Sequence, residues 1–444
     1  MTIVGHGPGS TQVEPPRRLL VQPLRATTTP GRLRLLLVGL VALSLIWGAV
    51  AAWTANQRTS AAGAVVGTSE PLSLDGQRIY RSLSDADATA ATAFLSGGLE
   101  PLAARHRYLA DIAEAASSLE SATAVAGQSA AAADLARISA GLPVYTGEVE
   151  TARADNRLGL PLGAAYLREA SSLMRGTLLP AARDLSAQAN ARLAAESGQA
   201  TGLPSIAIAL VVAIIVGYAL YRAQRWLSGR THRVVNFGLA VASVAGAVSL
   251  LWLIIAFTVA RVELGQAHDH GSAPVEALAQ ADIAALQAHA DESLTLIDNS
   301  GDDSFQADFT SVRAKLGPGP GTLLTAASSA ASGSPGSGYA AAAAADATAW
   351  YAAHQRVRSQ DDSGAHSQAV QSAIGSAPGD SAAAFGRLDS ALSSGIAADQ
   401  VVFHDRAVAG RDAATGLEAG LIVLSLVMAA GCARGLTQRL AEYR

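Results

Sequence analysis

IAIALVVAIIVGYALY (206–221) runs into RAQRWLSGRTHR (222–233) and then into VVNFGLAVASVAGAVSLLWLIIAFTVA (234–260). Two apolar runs flank a loop that holds four arginines and no acid. A helix that crosses a bilayer needs about 20 mostly apolar residues, and loops rich in arginine stay on the cytoplasmic side. This stretch therefore reads as two membrane spans joined by a short cytoplasmic loop. Working outward, LLLVGLVALSLIWGAVAAW (Leu35–Trp53) is a third run of that kind, and AGLIVLSLVMAAGCA (Ala419–Ala433) is a fourth and weaker one. Glu418 then belongs near the interface, because a carboxylate at mid-bilayer costs a few kcal/mol.

The other two basic segments fix the remaining topology. The N-terminal tail carries Arg17, Arg18, Arg25, Arg32 and Arg34 against Glu14, and the C-terminal tail carries Arg434, Arg439 and Arg444 against Glu442. The long segments between spans are acidic, with 15 acids to 12 bases over 58–203 and 18 to 8 over 261–415. The expected layout is a cytoplasmic tail (1–34), span one (35–57), an extracytoplasmic domain (58–203), span two (204–221), the basic loop (222–233), span three (234–260), a second extracytoplasmic domain (261–415), span four (416–433) and a tail (434–444). The protein is expected in the cell membrane as a multi-pass chain with both termini cytoplasmic. Ala49-Val50-Ala51 offers a small-residue cleavage site, but the apolar run exceeds a usual signal-peptide core, so span one reads as an uncleaved anchor.

Composition narrows the function classes. The 444 residues are 50% apolar, 5% aromatic and only 15% charged, with net charge −4, against an average near 25% charged. That balance excludes a generic nucleic-acid binder. One cysteine allows no intrachain disulfide and no cysteine-based metal site. No phosphate loop, kinase set, dinucleotide fingerprint, nucleophile elbow or zincin motif is present, so no catalytic residue, cofactor or metal is assigned and the chain reads as a non-enzyme. The cytoplasmic pieces are shorter than about 40 residues, below which chains rarely fold alone.

Both inter-span segments read as helices. Ile79, Leu83, Ala86, Ala90, Ala93 and Phe94 recur at helical spacing, as do Leu102, Tyr108, Ile112, Ala115, Ala116 and Leu119. Two further helices follow, where Pro143 and Pro180 are expected to kink or interrupt them and the last runs almost directly into span two. The second segment gives candidate helices over 274–299, 302–316, 339–360 and 381–413, separated by the GPGPG (Gly317–Gly321) and GSPGSG (Gly333–Gly338) breaks. The fold class is thus an all-α membrane protein: four transmembrane helices with two extracytoplasmic antiparallel four-helix-bundle-like domains. The shared plan suggests a duplication, with Leu83–Asp87 and Leu278–Asp282 as a faint matching pair.

Candidate contacts are few. Arg105, Arg107, Tyr108 and Asp111 crowd one helix, and arginine grips carboxylates bidentately, so these four are the candidate ligand or partner site. The plainer alternative is an exposed ion-paired helix face. Arg222, Arg225, Arg230 and Arg233 are topology determinants that also suit lipid headgroups or a cytoplasmic partner. His268-Asp269-His270 holds metal-ligating residue types, but no complete site is evident.

LSDADATAATAFLSGGLEPLAARHRYLADIAEAA (Leu83–Ala116), YLREASSLMRGTLLPAARDL (Tyr166–Leu185) and RTHRVVNFGL (Arg230–Leu239) resemble an actinobacterial family of four-span membrane sensors of the GlnX type. The resemblance implies a partner solute-binding lipoprotein outside the membrane that senses amino acids, and a soluble serine/threonine protein kinase inside that receives the signal. The leading expectation is a non-enzymatic transmembrane signal transducer for a nutrient. The alternative is a membrane-anchored scaffold or accessory subunit of a transport or envelope-assembly complex. The sequence leaves a homodimer open.

Overall fold

The computed structural model describes residues 29–127, 131–202, 204–231, 236–298 and 303–441. Among them are fifteen α-helices and three π-helical turns, and no strand. Four helical stretches are long and apolar enough to cross a membrane: Gly31–Leu95, Leu162–Ser228, Phe237–Ile297 and Ser381–Ala441. The chain is an all-α membrane protein.

Helix α1 (Thr29–Ala64) leads through a π turn (Val65–Ser69) into α2 (Glu70–Leu95). There follow α3 (Leu102–Ala126), α4 (Ala131–Arg157), α5 (Leu162–Leu173), a second π turn (Met174–Leu178), α6 (Leu179–Thr201) and α7 (Pro204–Thr231). The second half repeats the plan with α8 (Phe237–Ala267), a third π turn (His268–Ser272) and α9 (Ala273–Ile297). It continues through α10 (Ser304–Leu316), α11 (Leu323–Ala330), α12 (Ser337–Asp362), α13 (His366–Ile374), α14 (Ser381–Asp412) and α15 (Leu417–Ala441). The short helices α11 and α13 lie in stretches that the sequence offered as breaks or connections.

The chain forms two compact units. One comprises the described residues up to Val50, Leu210–Ser249 and those from Leu421 onward. It packs through small residues, as apolar helices must when lipid supplies no hydrophobic drive between them. A Cβ on Gly238 would lie 2.5 Å from the Gly431 carbonyl oxygen, so only glycine permits that contact. Trp47 Nε1 donates to Ser249 Oγ at 2.9 Å, and Asn236 Nδ2 donates to the Gly435 carbonyl at 2.8 Å.

The other unit comprises Ala51–Ala209 and Leu250–Gly420 and holds both inter-span domains. In the first domain α2, α3, α4 and the α5–α6 arm close around Ile79, Leu83, Ile138, Tyr145, Met174, Leu178 and Leu185, all fully buried. In the second, α9, the α10–α11 arm, α12 and α14 close around Leu278, Leu286, Phe309, Leu316, Trp350 and Leu388. Both cores are filled out with alanine, so helix axes approach closely. At one end α1, α6, α8 and α14 converge on Ala61, Ala62, Ala200 and Leu264, and next to them on Val65, Leu193, Ala267, Phe403 and Ala407.

The π turns have a common cause. Each is followed at the second residue by a proline: Pro71, Pro180 and Pro274. Proline has no N–H, and its ring presses on the carbonyl four residues back. One extra residue in the turn widens it and relieves that clash. The residue before each proline then donates five positions back, Glu70 to Val65, Leu179 to Met174 and Ala273 to His268. Pro180 therefore leaves the helix continuous rather than interrupting it, and α4 likewise runs on through Pro143. The two halves share this device, with Ser69-Glu70-Pro71 and Ser272-Ala273-Pro274 in matching places. Leu278–Asp282 lies about two turns nearer its proline than Leu83–Asp87 does, so that faint sequence match is out of structural register.

As expected, α6 leads almost directly into α7, with a break at Gly202. Arg58 from α1 occupies the break: Nη1 donates to the Ala200 carbonyl at 2.9 Å, and Nη2 donates to the Gly202 carbonyl and to Ser205 Oγ at 3.2 Å. It satisfies carbonyls that a helix end leaves without partners, and its guanidinium lies 4.1 Å above the Phe257 ring.

Candidate functional site

The two inter-span domains meet along their first helices, α2 and α9. Both helices are buried on nearly every side, which is possible because their outward faces carry Ala, Ser, Thr and Asp rather than long chains. Small polar side chains on such a seam must find partners, since an unpaired buried charge is costly. They find them largely in arginine.

Arg81 of α2 reaches across: Nε donates to Asp282 of α9 at 2.7 Å and Nη2 to Asp389 of α14 at 2.8 Å. Arg107 of α3 grips Asp85 bidentately at 3.0 Å and donates to the other oxygen of Asp389 at 2.9 Å. Asp389 is the hub, with one arginine on each oxygen. Burial pushes Asp282 upward despite Arg81, because the side chain is only 1% exposed and Asp389 stands near. Asp111, one turn along from Arg107, is also raised by burial and by the charge of Asp85, and its Oδ2 is buried without a partner. Both guanidinium groups are raised by their acids, which outweigh the effect of burial.

A second node lies further along. Arg175, in the second π turn, pairs with Asp291 of α9 and stands 3.7 Å from Asp87 of α2. Ser171 Oγ donates to Asp87 at 2.9 Å. Burial lifts Asp291 to about 6 against the pull of Arg175. Arg168 pairs with Asp298 at 3.0 Å, and Thr92 contacts His289 Nε2 at 3.3 Å and Ser293 Oγ at 2.9 Å. Near the first π turn, His404 contacts Glu70 at 2.8 Å.

Behind His289 sits a buried network inside the second domain. Glu292, 1% exposed, takes bonds from Ser381 Oγ at 2.7 Å and His354 Nδ1 at 2.9 Å, with His289 Nδ1 at 3.4 Å. Burial alone would raise this carboxyl, but the two histidines hold it down to about 2. Trp350 Nε1 donates to Ser381 Oγ at 3.0 Å. Phe385 stacks on His289 with centroids 4.0 Å apart, and Phe309 stacks on His354 at 3.6 Å. Sealed in this way, the serine, histidine and glutamate side chains form a structural core and not a reactive surface.

The four residues expected on α3 divide. Arg107 and Asp111 join the seam. Arg105 turns away to Glu150 of α4 at 2.6 Å, over the Tyr108 ring at 5.7 Å, and Tyr108 is buried with an unpaired hydroxyl. Neither arginine is free for a ligand carboxylate in this arrangement. The partners of Arg107 were not legible nearby, since Asp389 lies 282 residues away. Of the basic loop, Arg222 and Arg225 are exposed on α7, and Arg225 Nη1 donates to Tyr221 Oη at 3.2 Å. The Arg230 side chain and all of Arg233 lie outside the described residues. His268-Asp269-His270 forms the third π turn, and among the described residues no group of three His, Cys, Asp or Glu side chains is placed to hold a metal.

Residues 61–198 match the family model of an actinobacterial sensor domain. The match begins just before the first π turn, covers nearly all of the first inter-span domain and stops before the break at Gly202. With four helices able to cross a membrane, the chain has the build of a membrane sensor, and the sensor match points to a non-enzymatic role. No curated protein and no solved structure matches the sequence.

Proposed function

We propose that the protein is a non-enzymatic transmembrane signal transducer that senses a nutrient outside the membrane and relays its presence to a cytoplasmic partner. The observation that carries this reading is the seam. Two helical domains, each continuous through a π turn with a membrane-capable helix, are joined by ion pairs across α2 and α9 rather than by an apolar core alone. A signal molecule that binds one arrangement of the domains better than another shifts the population toward it, and only that differential affinity does so. Helix α8, which follows the basic loop, and α1, which follows the basic N-terminal tail, carry the shift toward those basic segments.

The nutrient is an amino acid, met directly or on a solute-binding lipoprotein, and the receiver is a serine/threonine protein kinase; the resemblance of three sequence strings to the four-span sensor family supports both. The basic segments support cytoplasmic termini and extracytoplasmic inter-span domains in the cell membrane. The test is a photo-crosslinking residue at the exposed Arg225, activated in living cells with and without amino acids. Capture of a kinase that changes with the nutrient is expected. Capture of no signalling protein in either condition refutes the relay and favours a scaffold in a transport or envelope complex.

A further inference from the structure

Arg183 of α6 and Lys315 of α10 line one cleft between the two inter-span domains, on opposite walls. Its floor is formed by α2 and α9. Two adjoining cavities, about 400 and about 320 Å³, share Tyr80, Arg183, Gln287 and Lys315, a size that suits a small solute. Along the rest of the seam the cations are spent: Arg81, Arg107, Arg168 and Arg175 all hold carboxylates. These two are not. Lys315, the only lysine in the chain, makes no side-chain hydrogen bond or ion pair among the described residues. Arg183 has only its neighbour Asp184, at 3.7 Å and more than half exposed. Two like charges from different domains thus line one cleft, and neither is ion-paired with a carboxylate of the opposite domain. A carboxylate placed with them replaces repulsion by two charge-assisted bonds.

The rest of the lining selects among anions. Asp308 and Asp291 border the smaller cavity and Glu276 the larger, so a multiply charged anion is repelled and a cationic group on the same solute is welcome. Two buried polar atoms also lack partners here: Arg175 Nη2 beside the smaller cavity and Gln77 Oε1 beside the larger. We propose that this cleft binds a small amphoteric solute, with its carboxylate at Arg183 and Lys315 and its ammonium toward Asp308. The proposal rests on the seam being the input of the sensor and names what is received there. Because the two cations belong to different domains, the bound solute draws α6 and α10 together.

The experiment titrates the full-length protein in lipid nanodiscs by calorimetry. The probes are the twenty amino acids singly, with inorganic phosphate as a bare anion and putrescine as a bare cation. At least one amino acid is expected to bind with Kd below about 1 mM. Lys315→Gln and Arg183→Gln each weaken it at least tenfold, and Lys315→Arg restores most of the affinity. Arg313→Gln, on the same helix but over the Tyr351 ring, changes it less than twofold. Unchanged circular dichroism shows that the variants fold. No binding by any amino acid overturns the proposal. Phosphate or putrescine binding as tightly, with the same response to substitution, overturns the solute class. Binding indifferent to both Gln variants overturns the location, while the crosslinking result at Arg225 is left standing; the converse pattern refutes the relay and keeps the cleft.

Discussion

Glu292 gives the sharpest test of the packing. Its carboxylate is 1% exposed and accepts from Ser381 and His354, with His289 Nδ1 3.4 Å away. Held at about 2 instead of the ordinary 4.5, it stabilises the fold by about 3 kcal/mol at neutral pH. The sign follows from the lowered value: the stabilisation is complete above pH 4.5 and is lost as pH falls toward 2. Glu292→Gln keeps the shape but turns an amide N–H toward groups that donate, leaving a donor facing a donor. A buried neutral amide is easier to desolvate than a carboxylate, which offsets part of the loss, so a net cost of about 2 kcal/mol is expected. For a domain of this size that lowers the melting midpoint by roughly 4–8 °C. The assay is ¹⁹F NMR of protein carrying 5-fluorotryptophan in micelles, following the line of Trp350, which sits in the same network. The parent should lose that line's native position between pH 4.5 and 2, and the variant should show no transition confined to that window. Equal melting midpoints and superimposable acid curves would refute the claim that the histidines hold a charged carboxylate.

Four further outcomes follow from the same contacts. Thr92→Cys with Ser293→Cys places two thiols where hydroxyl oxygens stand 2.9 Å apart; a disulfide should form under oxidation and slow the response to nutrient, as seen by mobility on non-reducing gels and by kinase capture. Asp111→Asn mimics the protonated form favoured by burial, so it should strengthen the seam at pH 8 and remove the weakening that the parent shows as pH rises from 6 to 8, measured by proteolytic protection of the two domains. Gly238→Leu drives a side chain into the Gly431 carbonyl and should lower the midpoint of the span region by several degrees in nanodisc melts. With Cys432 replaced by alanine, Ser117→Cys should react with an impermeant maleimide in intact cells and Ser228→Cys only after permeabilisation; the reverse pattern inverts the topology.

The helices were legible where glycine and proline punctuate them. Gly97, Gly98 and Pro101 mark the start of α3, and the start of α14 follows Pro378 and Gly379. What could not be read was the second buried face of α2 and α9. Ile79, Leu83 and Phe94 announce one apolar stripe, and the opposite side carries Ser82, Asp85, Thr89 and Thr92, which look solvated. The available signal was size, because Leu83–Leu95 holds no side chain long enough to snorkel out of a packed seam. The π turns leave no residue signature of their own, although a proline two positions beyond each was in view. Arg105 and Arg107 are two residues apart on one helix, and that spacing alone points them to different sides. Their partners lie in α4 and α14, far away in sequence.

The wiring of the seam bears on how it opens. Arg107 holds Asp85 of its own domain and Asp389 of the other, and Arg175 stands likewise between Asp87 and Asp291. If the domains part, each of these arginines keeps its local acid, so no guanidinium is left bare in a low-dielectric gap. Breaking a buried pair outright costs about 3–5 kcal/mol because it strands a charge; here the stranded groups are Asp389 and Asp291, which water reaches as the gap widens. Arg81 is the exception, since both of its bonded partners belong to the other domain, and within its own domain it feels the charge of Asp85. Parting the domains would leave Arg81 to share Asp85 with Arg107, which already grips both of its oxygens, so Arg81 is the arginine whose loss of partners most opposes opening. A solute that draws the domains into a different arrangement therefore works mainly against Arg81, while Arg107 and Arg175 keep a local partner throughout.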